Sequence, residues 1–241
     1  MTEQEDEFLH IDPLEEAYRE SIAEIPQVTE SLEKHKTALL VIDLQYLDAA
    51  RGCGVFADLE NSPVPTEAQE YYFNRLDESV FPNVRRLQDC FREHSLEVIH
   101  TRIQSLTKDG RDRGPGHKRL GLHAAPGSKE AEFIESVAPI GDEIVINKTA
   151  SGVFNSTNIE YILRNMGITG LFIVGVYSNE CVSTAVRDAC DRGFYVTVIE
   201  DAIATVTPEL QNATVTTLKD RYARVMTTVE ALQEINRVVE D

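Results

Sequence analysis

The chain contains 241 residues, of which 42% are hydrophobic and 27% are charged, so its composition is that of a folded globular protein. It carries 41 acidic and 23 basic residues, which gives a formal net charge of −18. A field of that sign repels phosphate backbones and anionic lipid surfaces, which argues against nucleic acid or a membrane as a partner. Apolar runs such as residues 171–176 are far shorter than the roughly 20 residues that span a bilayer.

The cysteines and the first residues of the chain indicate a reducing compartment. Four cysteines are scattered along the sequence without a CxxC pair, which is not the pattern of a disulfide framework. The first residues, MTEQEDEF, contain neither a basic stretch nor an apolar one, so they do not resemble a signal peptide. We therefore predict a cytoplasmic protein with reduced thiols.

A polar, acidic segment precedes the apolar part of the chain. Residues 1–36 contain 11 acidic and 3 basic residues and a weak helical pattern. We predict that they form an N-terminal arm, which in an oligomer packs on a neighbouring subunit; the alternative is a disordered segment. Residues 37–241 contain no linker and no internal repeat, so we expect them to form one domain.

Within this domain, apolar runs alternate with segments of helical spacing. In chain order they predict a strand at 37–43, a helix at 67–94 interrupted near Pro82, a strand at 96–102, a long polar loop at 103–127, a short helix at 128–137, a strand at 143–147, a helix at 157–166, a strand at 170–175, a helix at 180–192, a strand at 194–199, a helix at 208–220, a strand at 223–228 and a helix at 229–239. This alternation predicts an α/β fold, a doubly wound six-stranded parallel sheet with helices on both faces.

Three strands of the predicted sheet end near an acid, an amine and a thiol: Asp43, Lys148 and Cys181. Ligand sites of such sheets lie beyond the carboxyl ends of the strands, at the switch point of the strand order. A cysteine in a first helical turn faces unpaired N–H groups, and a nearby ammonium also stabilises its thiolate, so we expect a lowered pKa for Cys181. Asp43 is then the base that takes the thiol proton and returns it to a leaving amine.

Each of these side chains also has a structural interpretation when it is taken alone. A cysteine is usually a small buried apolar residue, and we interpret Cys90 and Cys190 in that way. An aspartate that ends a strand is often a helix or turn cap, and a single lysine is usually a surface charge. The joint placement of all three residues at one edge of the sheet is what favours a catalytic site.

Three segments resemble the signature blocks of the isochorismatase-like cysteine hydrolases: ALLVIDLQ at 38–45, NKTASGVFNST at 147–157 and IVGVYSNECVSTAVRDACDRGF at 173–194. The separation of Lys148 and Cys181 also fits the ureidoacrylate amidohydrolase and biuret hydrolase branches of that family. The resemblance extends from about residue 37 to the C-terminus. It implies the same parallel-sheet fold and the catalytic triad Asp43, Lys148 and Cys181.

The resemblance also implies an oxyanion hole and a reaction. Family members keep a non-proline cis peptide bond four residues before the nucleophile, which here falls between Val176 and Tyr177. The N–H groups of Tyr177 and Cys181 would then form the oxyanion hole. The implied activity is hydrolysis of a C–N bond in a small polar amide, ureide or N-carbamoyl compound through a thioester, with release of ammonia or an amine. Family members are commonly dimers or tetramers, so we expect a homodimer or homotetramer.

Two alternatives are less favoured, and a third remains open. Nicotinamidases of this family bind zinc through an Asp-x-His motif, whereas Asp58 is followed by Leu and Glu, so we predict no catalytic metal and no cofactor and place nicotinamide below ureides. A Rossmann-type nucleotide site would need a glycine-rich GxGxxG after Asp43, which is absent. The third alternative is a catalytically silent binding or scaffold member, which the presence of all three triad residues disfavours without excluding it.

Candidate substrate contacts lie in or beside the signature segments and in a basic stretch at 107–119. Amides could pair with a ureide, aromatic rings could line the pocket, and a guanidinium could bind a substrate carboxylate. The candidates are Gln45, Asn155 and Asn179 for the amides, Phe154 and Tyr177 for the rings, and Arg111 for the guanidinium. The alternatives are ion pairs with the acidic surface for the basic stretch and core packing for Phe154.

Overall fold

The computed structural model describes residues 14, 17–19, 26–58 and 62–239, and the statements below refer to them. Most of the predicted arm, residues 1–36, lies outside the described residues. Its final part forms helix α1 (Pro26–Glu33), whose Leu32 is fully buried in the core. The hydroxyl groups of Ser31 and Thr37 are 2.7 Å apart and join α1 to the start of the sheet.

Six parallel strands form one sheet, as predicted. The strands are β1 (Thr37–Ile42), β2 (Glu97–Ile103), β3 (Ile144–Lys148), β4 (Gly170–Val176), β5 (Tyr195–Ala204) and β6 (Arg224–Met226). Their order is β3-β2-β1-β4-β5-β6. The order reverses between β1 and β4, so the switch point lies at the carboxyl ends of these two strands, where a ligand site is expected.

Helices cover both faces of the sheet. They are α2 (Tyr46–Ala49), α3 (Thr66–Arg75), α4 (Phe81–Glu93), α5 (Pro115–Arg119), α6 (Val153–Ser156), α7 (Ile159–Asn165), α8 (Ser183–Asp191), α9 (Pro208–Leu218) and α10 (Thr228–Val239). Two single π-helical turns, Leu76–Val80 and Ser178–Val182, lead into α4 and α8. The predicted interruption near Pro82 is confirmed, because α4 begins there with proline in its first turn.

Alternate residues of β1 enter two separate cores. Leu39 and Val41 pack with residues of α1, α3, α4 and α10, whereas Leu40 and Ile42 pack with residues of α6, α7, α8 and α9. A strand buried on both faces must be apolar at every position, which is why the sequence shows a continuous run there rather than an alternation. The two cores therefore lie on opposite faces of the sheet.

Two segments differ from the sequence prediction. Residues 128–137 form two 3₁₀ turns, Lys129–Ala131 and Glu135–Val137, instead of a helix, because Phe133 between them forms an antiparallel bridge with Gln45. This pairing uses two main-chain groups that a continuous helix would need, because Ile134 N–H donates to Leu44 O and Glu132 O accepts from Tyr46 N–H, both at 2.9 Å.

Strand β5 is longer than predicted, so Glu200 and Asp201 do not mark its end. The register against β4 shifts between Ile173 and Gly175, and the extra length continues the pairing to Ala204. The carboxylate of Asp201 accepts hydrogen bonds from the N–H and hydroxyl of Thr228, at 2.8 and 2.7 Å, at the start of α10. Asp201 therefore joins β5 to the start of α10.

Gly175 is required by the close approach of β4 to β1. Its φ is +115°, and a Cβ atom at this position would lie 2.0 Å from the carbonyl oxygen of Ile42. Gly167 also has a positive φ, of +73°, but a Cβ atom there would have no neighbour within 4 Å. The two glycines therefore separate the cost of the backbone conformation from the cost of the steric clash.

Gly175→Ala is expected to destabilise the protein far more than Gly167→Ala. Gly167→Ala should lower the unfolding free energy by about 1–2 kcal/mol, because alanine disfavours the left-handed backbone conformation. Gly175→Ala adds a clash with main-chain atoms of a central strand and should cost about 3 kcal/mol or more in total. Urea unfolding of the two variants beside the parent chain measures the difference, and equal losses of unfolding free energy would contradict the steric argument.

Candidate active site

Asp43 follows directly after β1 at the switch point. Its φ of +53° is a left-handed conformation that aspartate tolerates better than most residues, and its N–H donates to Thr101 O at 3.1 Å. The Thr101 hydroxyl donates to Oδ1 of Asp43 at 2.8 Å. The carboxylate is almost fully buried, and this bond from the neighbouring strand fixes its orientation.

Lys148 is the last residue of β3, and its side chain is fully buried at the carboxyl edge of the sheet. Its Nζ lies 2.7 Å from Oδ2 of Asp43 and 3.3 Å from Sγ of Cys181. The same ammonium donates to Ala150 O at 3.1 Å. The structure therefore brings together the three side chains that the sequence singled out, with the ammonium between the carboxylate and the sulfur.

Cys181 lies in the π-helical turn between β4 and α8, and only 4% of the residue is exposed. Burial raises the pKa of its thiol, the Lys148 ammonium lowers it, and the Asp43 carboxylate raises it again. The net shift is upward, so the expected lowering of the pKa of Cys181 is wrong in this structure. The resting group is a thiol that stands beside a carboxylate able to take its proton.

Lys148 keeps its charge in spite of its burial. Desolvation by itself would lower the pKa of the ammonium, but the charges of Asp43 and Cys181 and the hydrogen bond to Asp43 raise it above its usual value. A charge removed from water needs such a partner, because an unpaired buried ion is strongly disfavoured. The pair is therefore an ammonium and a carboxylate, and the proton that can move is the one on sulfur.

The turn that leads to Cys181, called the nucleophile turn after the predicted role of this residue, is held by main-chain hydrogen bonds and by the side chain of Ser178. The Val176–Tyr177 peptide bond is cis, as the resemblance implied. Tyr177 O accepts hydrogen bonds from the N–H groups of Glu180 and Val182 at 3.0 and 3.2 Å. Ser178 in the same turn donates through its hydroxyl to Gln211 of α9 at 2.7 Å. These contacts fix the main chain between Tyr177 and Cys181, whose N–H groups remain the predicted oxyanion hole.

Two further buried polar residues lie near the triad: Asp48, which the sequence did not single out, and His117, which belongs to the basic stretch at 107–119. Asp48 of α2 is 4% exposed and His117 of α5 is 8% exposed, and in this part of the chain neither Asp48 Oδ2 nor His117 Nδ1 has a hydrogen-bond partner. Burial, followed by the nearby Lys148 charge, lowers the pKa of His117, so its imidazole is neutral near pH 7. Nothing in the sequence distinguishes His117 from its basic neighbours, whereas Asp48 was visible as a second acid just after a strand end.

Gln45 is not available to a substrate, which corrects the sequence prediction. Its amide nitrogen donates to Ile103 O at 2.9 Å and to Glu130 O at 2.8 Å, and its amide oxygen accepts from Ile103 N–H. The residue is fully buried. Its side chain therefore joins the segment after β1 to β2 and to the turn at Lys129–Ala131.

Phe154 and Asn155 of helix α6 have partners other than a substrate. The Asn155 side chain is exposed and donates to Asp188 of α8 at 2.9 Å. Phe154 is buried with its ring centroid 6.0 Å from that of Phe194, and the guanidinium of Arg192 lies 5.2 Å from its ring. Phe154 therefore follows the core-packing alternative, and the predicted role of Asn155 as a substrate contact is not supported.

Arg111 and Asn179 also have other partners. The Arg111 side chain is 73% exposed and pairs with Asp109 at 3.0 Å, so the structure does not bring it to the buried triad. The amide oxygen of Asn179 accepts a hydrogen bond from the Thr205 hydroxyl, which ties the nucleophile turn to the loop after β5. Of the predicted substrate contacts, Tyr177 and Asn179 lie in or beside the turn that contains Cys181, and the side-chain oxygen of Asn179 is already paired with Thr205.

Among residues 14, 17–19, 26–58 and 62–239, no group of three or more His, Cys, Asp or Glu side chains is arranged to hold a metal ion. In that part of the chain there is also no helix with the length and apolar character needed to cross a bilayer.

The fold and the site together are those of a hydrolase. The chain belongs to the isochorismatase family, because the model of the isochorismatase domain matches residues 37–230. A solved structure of a cysteine hydrolase from Pseudomonas syringae pv. phaseolicola 1448A has the same fold, with a TM-score of 0.68 at 22% sequence identity over 85% of this chain and 94% of that chain.

Two characterised relatives are similar to this chain at low identity. The ureidoacrylate amidohydrolase RutB of Agrobacterium fabrum is 26% identical over 215 residues, which cover 82% of this chain and 89% of the relative. The N-carbamoylsarcosine amidase of an Arthrobacter species is 24% identical over 164 residues, which cover 66% of this chain and 62% of the relative.

Proposed function

We propose that this protein is a cysteine-dependent amidohydrolase that cleaves the C–N bond of a small polar amide, ureide or N-carbamoyl compound. The observation that carries the proposal is the contact of one buried ammonium with both a carboxylate and a thiol, at 2.7 Å from Asp43 and 3.3 Å from Cys181. A nucleophile and a base held within hydrogen-bond reach, with a third group that orients them, are the parts that covalent catalysis needs.

Acylation begins with a thiol rather than a thiolate. Asp43 takes the proton as Cys181 Sγ attacks the substrate carbonyl carbon, so a C–S bond forms and the carbonyl oxygen becomes an oxyanion. The N–H groups of Tyr177 and Cys181 stabilise that oxyanion. Asp43 then returns its proton to the departing nitrogen, the C–N bond breaks, and ammonia or an amine leaves a thioester behind.

Deacylation reverses the roles of the same groups. Asp43 takes a proton from water as the water oxygen attacks the thioester carbonyl and forms a C–O bond. The C–S bond then breaks to release the acid, and Asp43 returns its proton to the sulfur. Lys148 keeps its positive charge throughout and compensates the negative charge, which lies on Asp43 before the attack and on the substrate oxygen and sulfur during it. The site needs only water as its second substrate.

The substrate class is supported by the relatives and by the polarity of the side chains next to the triad. Both characterised relatives are named for the hydrolysis of a ureido or N-carbamoyl compound. The buried side chains next to the triad include a carboxyl group and an imidazole, so the surroundings suit a small hydrogen-bonding molecule rather than a long apolar one.

An ammonia-release screen tests the proposal directly. The protein is incubated with N-carbamoyl amino acids, linear ureides, biuret, simple primary amides and nicotinamide, with Cys181→Ala as the blank. We expect turnover of a ureide or N-carbamoyl compound that the blank lacks. Absence of ammonia above the blank for every compound, from a folded protein whose Cys181 is unmodified by mass spectrometry, would instead support the catalytically silent alternative.

A further inference from the structure

Asp48 is a second buried carboxyl group beside the triad, and the mechanism above does not use it. The residue lies in α2, the short helix that follows β1. The hydroxyl groups of Tyr72 and Tyr177 both donate to its main-chain oxygen, at 2.9 and 3.1 Å. These two bonds, from α3 and from the nucleophile turn, hold Asp48 in place, and its Oδ2 is left without a hydrogen-bond partner among the described residues.

The groups that face Asp48 include more negative than positive charge. Asp43 at the end of β1 and Glu180 in the nucleophile turn disfavour its ionisation, and Lys148 of β3 favours it. The thiol of Cys181 and the phenols of Tyr72 and Tyr177 complete the set. Lys148 already pairs with Asp43 at 2.7 Å, so one ammonium faces two buried carboxyl groups.

Ionising two buried carboxyl groups next to a single buried cation is energetically unfavourable, because one positive charge cannot compensate two negative charges. Burial, followed by the charge of Asp43, raises the pKa of Asp48 well above its ordinary value, and Lys148 only partly opposes this. The carboxylate in contact with Lys148 is the one of Asp43. The arrangement therefore favours the protonated form of Asp48.

A protonated carboxyl group has a hydrogen-bond pattern that a carboxylate lacks. It presents one O–H donor and one C=O acceptor on the same edge, whereas a carboxylate only accepts. A primary amide or ureide presents the complementary C=O and N–H pair. An unpartnered buried oxygen such as Oδ2 of Asp48 is costly, so a ligand that satisfies it is favoured over one that does not.

We propose that Asp48, as a neutral carboxylic acid, determines specificity by pairing its O–H and C=O with the amide or ureide group of the substrate. The substrate part of this inference rests on the proposed amidohydrolase function. A carboxylate-bearing group would gain less at this position, because it cannot offer an N–H donor to the Asp48 carbonyl. Asp48 would thus select neutral amides and ureides at the end of the molecule that enters the site.

Asp48→Asn and Asp48→Leu form a matched pair that tests the pairing. The amide keeps one donor and one acceptor in the same shape, whereas leucine keeps similar volume and neither group. We expect Asp48→Asn to lose about threefold in kcat/KM and Asp48→Leu to lose about 30- to 100-fold, mainly through KM. The rate of Cys181 alkylation at fixed pH serves as the check that the triad is intact in both variants.

Either of two results would overturn the proposed pairing of Asp48 with the substrate: equal kcat/KM losses in Asp48→Asn and Asp48→Leu, or an Asp48→Leu variant with the activity of the parent protein. If Asp48 were ionised in the parent protein, Asp48→Asn would remove a negative charge and shift Cys181 alkylation to lower pH. The proposal instead requires that the alkylation profile of Asp48→Asn coincide with that of the parent between pH 6 and 8.

Protein stability tests the protonated state without any substrate. A carboxyl whose pKa is raised by folding binds a proton that the unfolded chain releases above about pH 4. The stability of the parent protein relative to Asp48→Asn should therefore fall as pH rises, by up to about tenfold in the unfolding equilibrium constant per pH unit until the folded-state pKa is passed.

Urea unfolding of both proteins at pH 5, 6, 7 and 8 measures this difference. If the stability curves of the two proteins stay parallel from pH 5 to pH 8, Asp48 is not a neutral acid in the folded protein. The curves could diverge as expected while the parent protein releases ammonia from no compound. The proposed function and the substrate pairing that depends on it would then both be wrong, but the protonated state of Asp48 would still be supported.

Discussion

Cys181→Ala should lower the rate of amide hydrolysis by about ten-thousandfold or more, because no thioester can form without the sulfur. The residue lies in an apolar core cluster with Val182 and Ala185, so a methyl group is tolerated there and the protein should lose only about 1 kcal/mol of unfolding free energy. Cys181→Ser should be nearly as inactive, since a neutral hydroxyl group is a much weaker nucleophile than a thiol at neutral pH. The measurement is ammonia release under substrate saturation.

Cys190 provides the matched control for this substitution. It is a free, half-buried cysteine at the end of α8, the helix that Cys181 leads into, and it has no contact with Lys148 or Asp43 in the structure. Cys190→Ala should keep the activity of the parent protein. Retention of a tenth of the parental rate by Cys181→Ala, or an equal loss in Cys190→Ala, would show that Cys181 is not the nucleophile.

The sheet and the convergence of the triad could be predicted because both follow from local patterns. Strand β1 is apolar at every position since it enters two cores, and this run alone indicates a strand of a covered parallel sheet. The carboxyl ends of parallel strands share one edge, so Asp43 and Lys148 had to meet near the nucleophile turn even though 105 residues separate them.

The protonation states at this edge could not be read from the sequence. The expected low pKa of Cys181 rested on the helix start and on one cation, which are local features. Its upward shift comes from burial and from Asp43, and both depend on how the turn packs against α2, α3 and α9. The same packing, rather than any motif, places the carboxyl of Asp48 where it faces Asp43.

Side-chain amides and guanidinium groups were the least predictable. Gln45 lies in a signature segment, but its partners are main-chain groups of Ile103 and of the turn at Lys129–Ala131, about 58 to 85 residues away in sequence. Arg111 has the charge for a substrate carboxylate, yet Asp109 two residues earlier already pairs with it. Residue type shows what a side chain can bind, and only packing shows which partner reaches it.

Removing the charge of Asp43 and removing the charge of Lys148 should shift the pKa of Cys181 in opposite directions. In Asp43→Asn the carboxylate that raises the pKa of Cys181 is gone, while the ammonium that lowers it remains. The thiol should then lose its proton at lower pH, and the midpoint of its alkylation by iodoacetamide should fall by about one pH unit or more. Hydrolysis should nevertheless drop by about a thousandfold, because the proton acceptor and donor is missing.

Lys148→Met should shift the same midpoint upward by about one pH unit or more, because the cation is lost and the Asp43 carboxylate remains beside the sulfur. Hydrolysis should again fall by about a thousandfold. The buried carboxylate left without its partner should also cost about 3–5 kcal/mol of stability. The double variant Asp43→Asn, Lys148→Met removes both charges, so it should regain much of that stability while remaining inactive.

Mass spectrometry of the peptide that contains Cys181 follows this thiol alone, apart from Cys53, Cys90 and Cys190, as pH is varied. A structural ion pair that merely held the fold together would give two unstable variants whose thiols respond alike. Shifts in opposite directions require that both charges act on the sulfur at once, as the contacts of Lys148 with Asp43 and Cys181 indicate. If the midpoints of Cys181 alkylation moved in the same direction in Asp43→Asn and Lys148→Met, the proposed catalytic triad would be contradicted, even if both variants lost all activity.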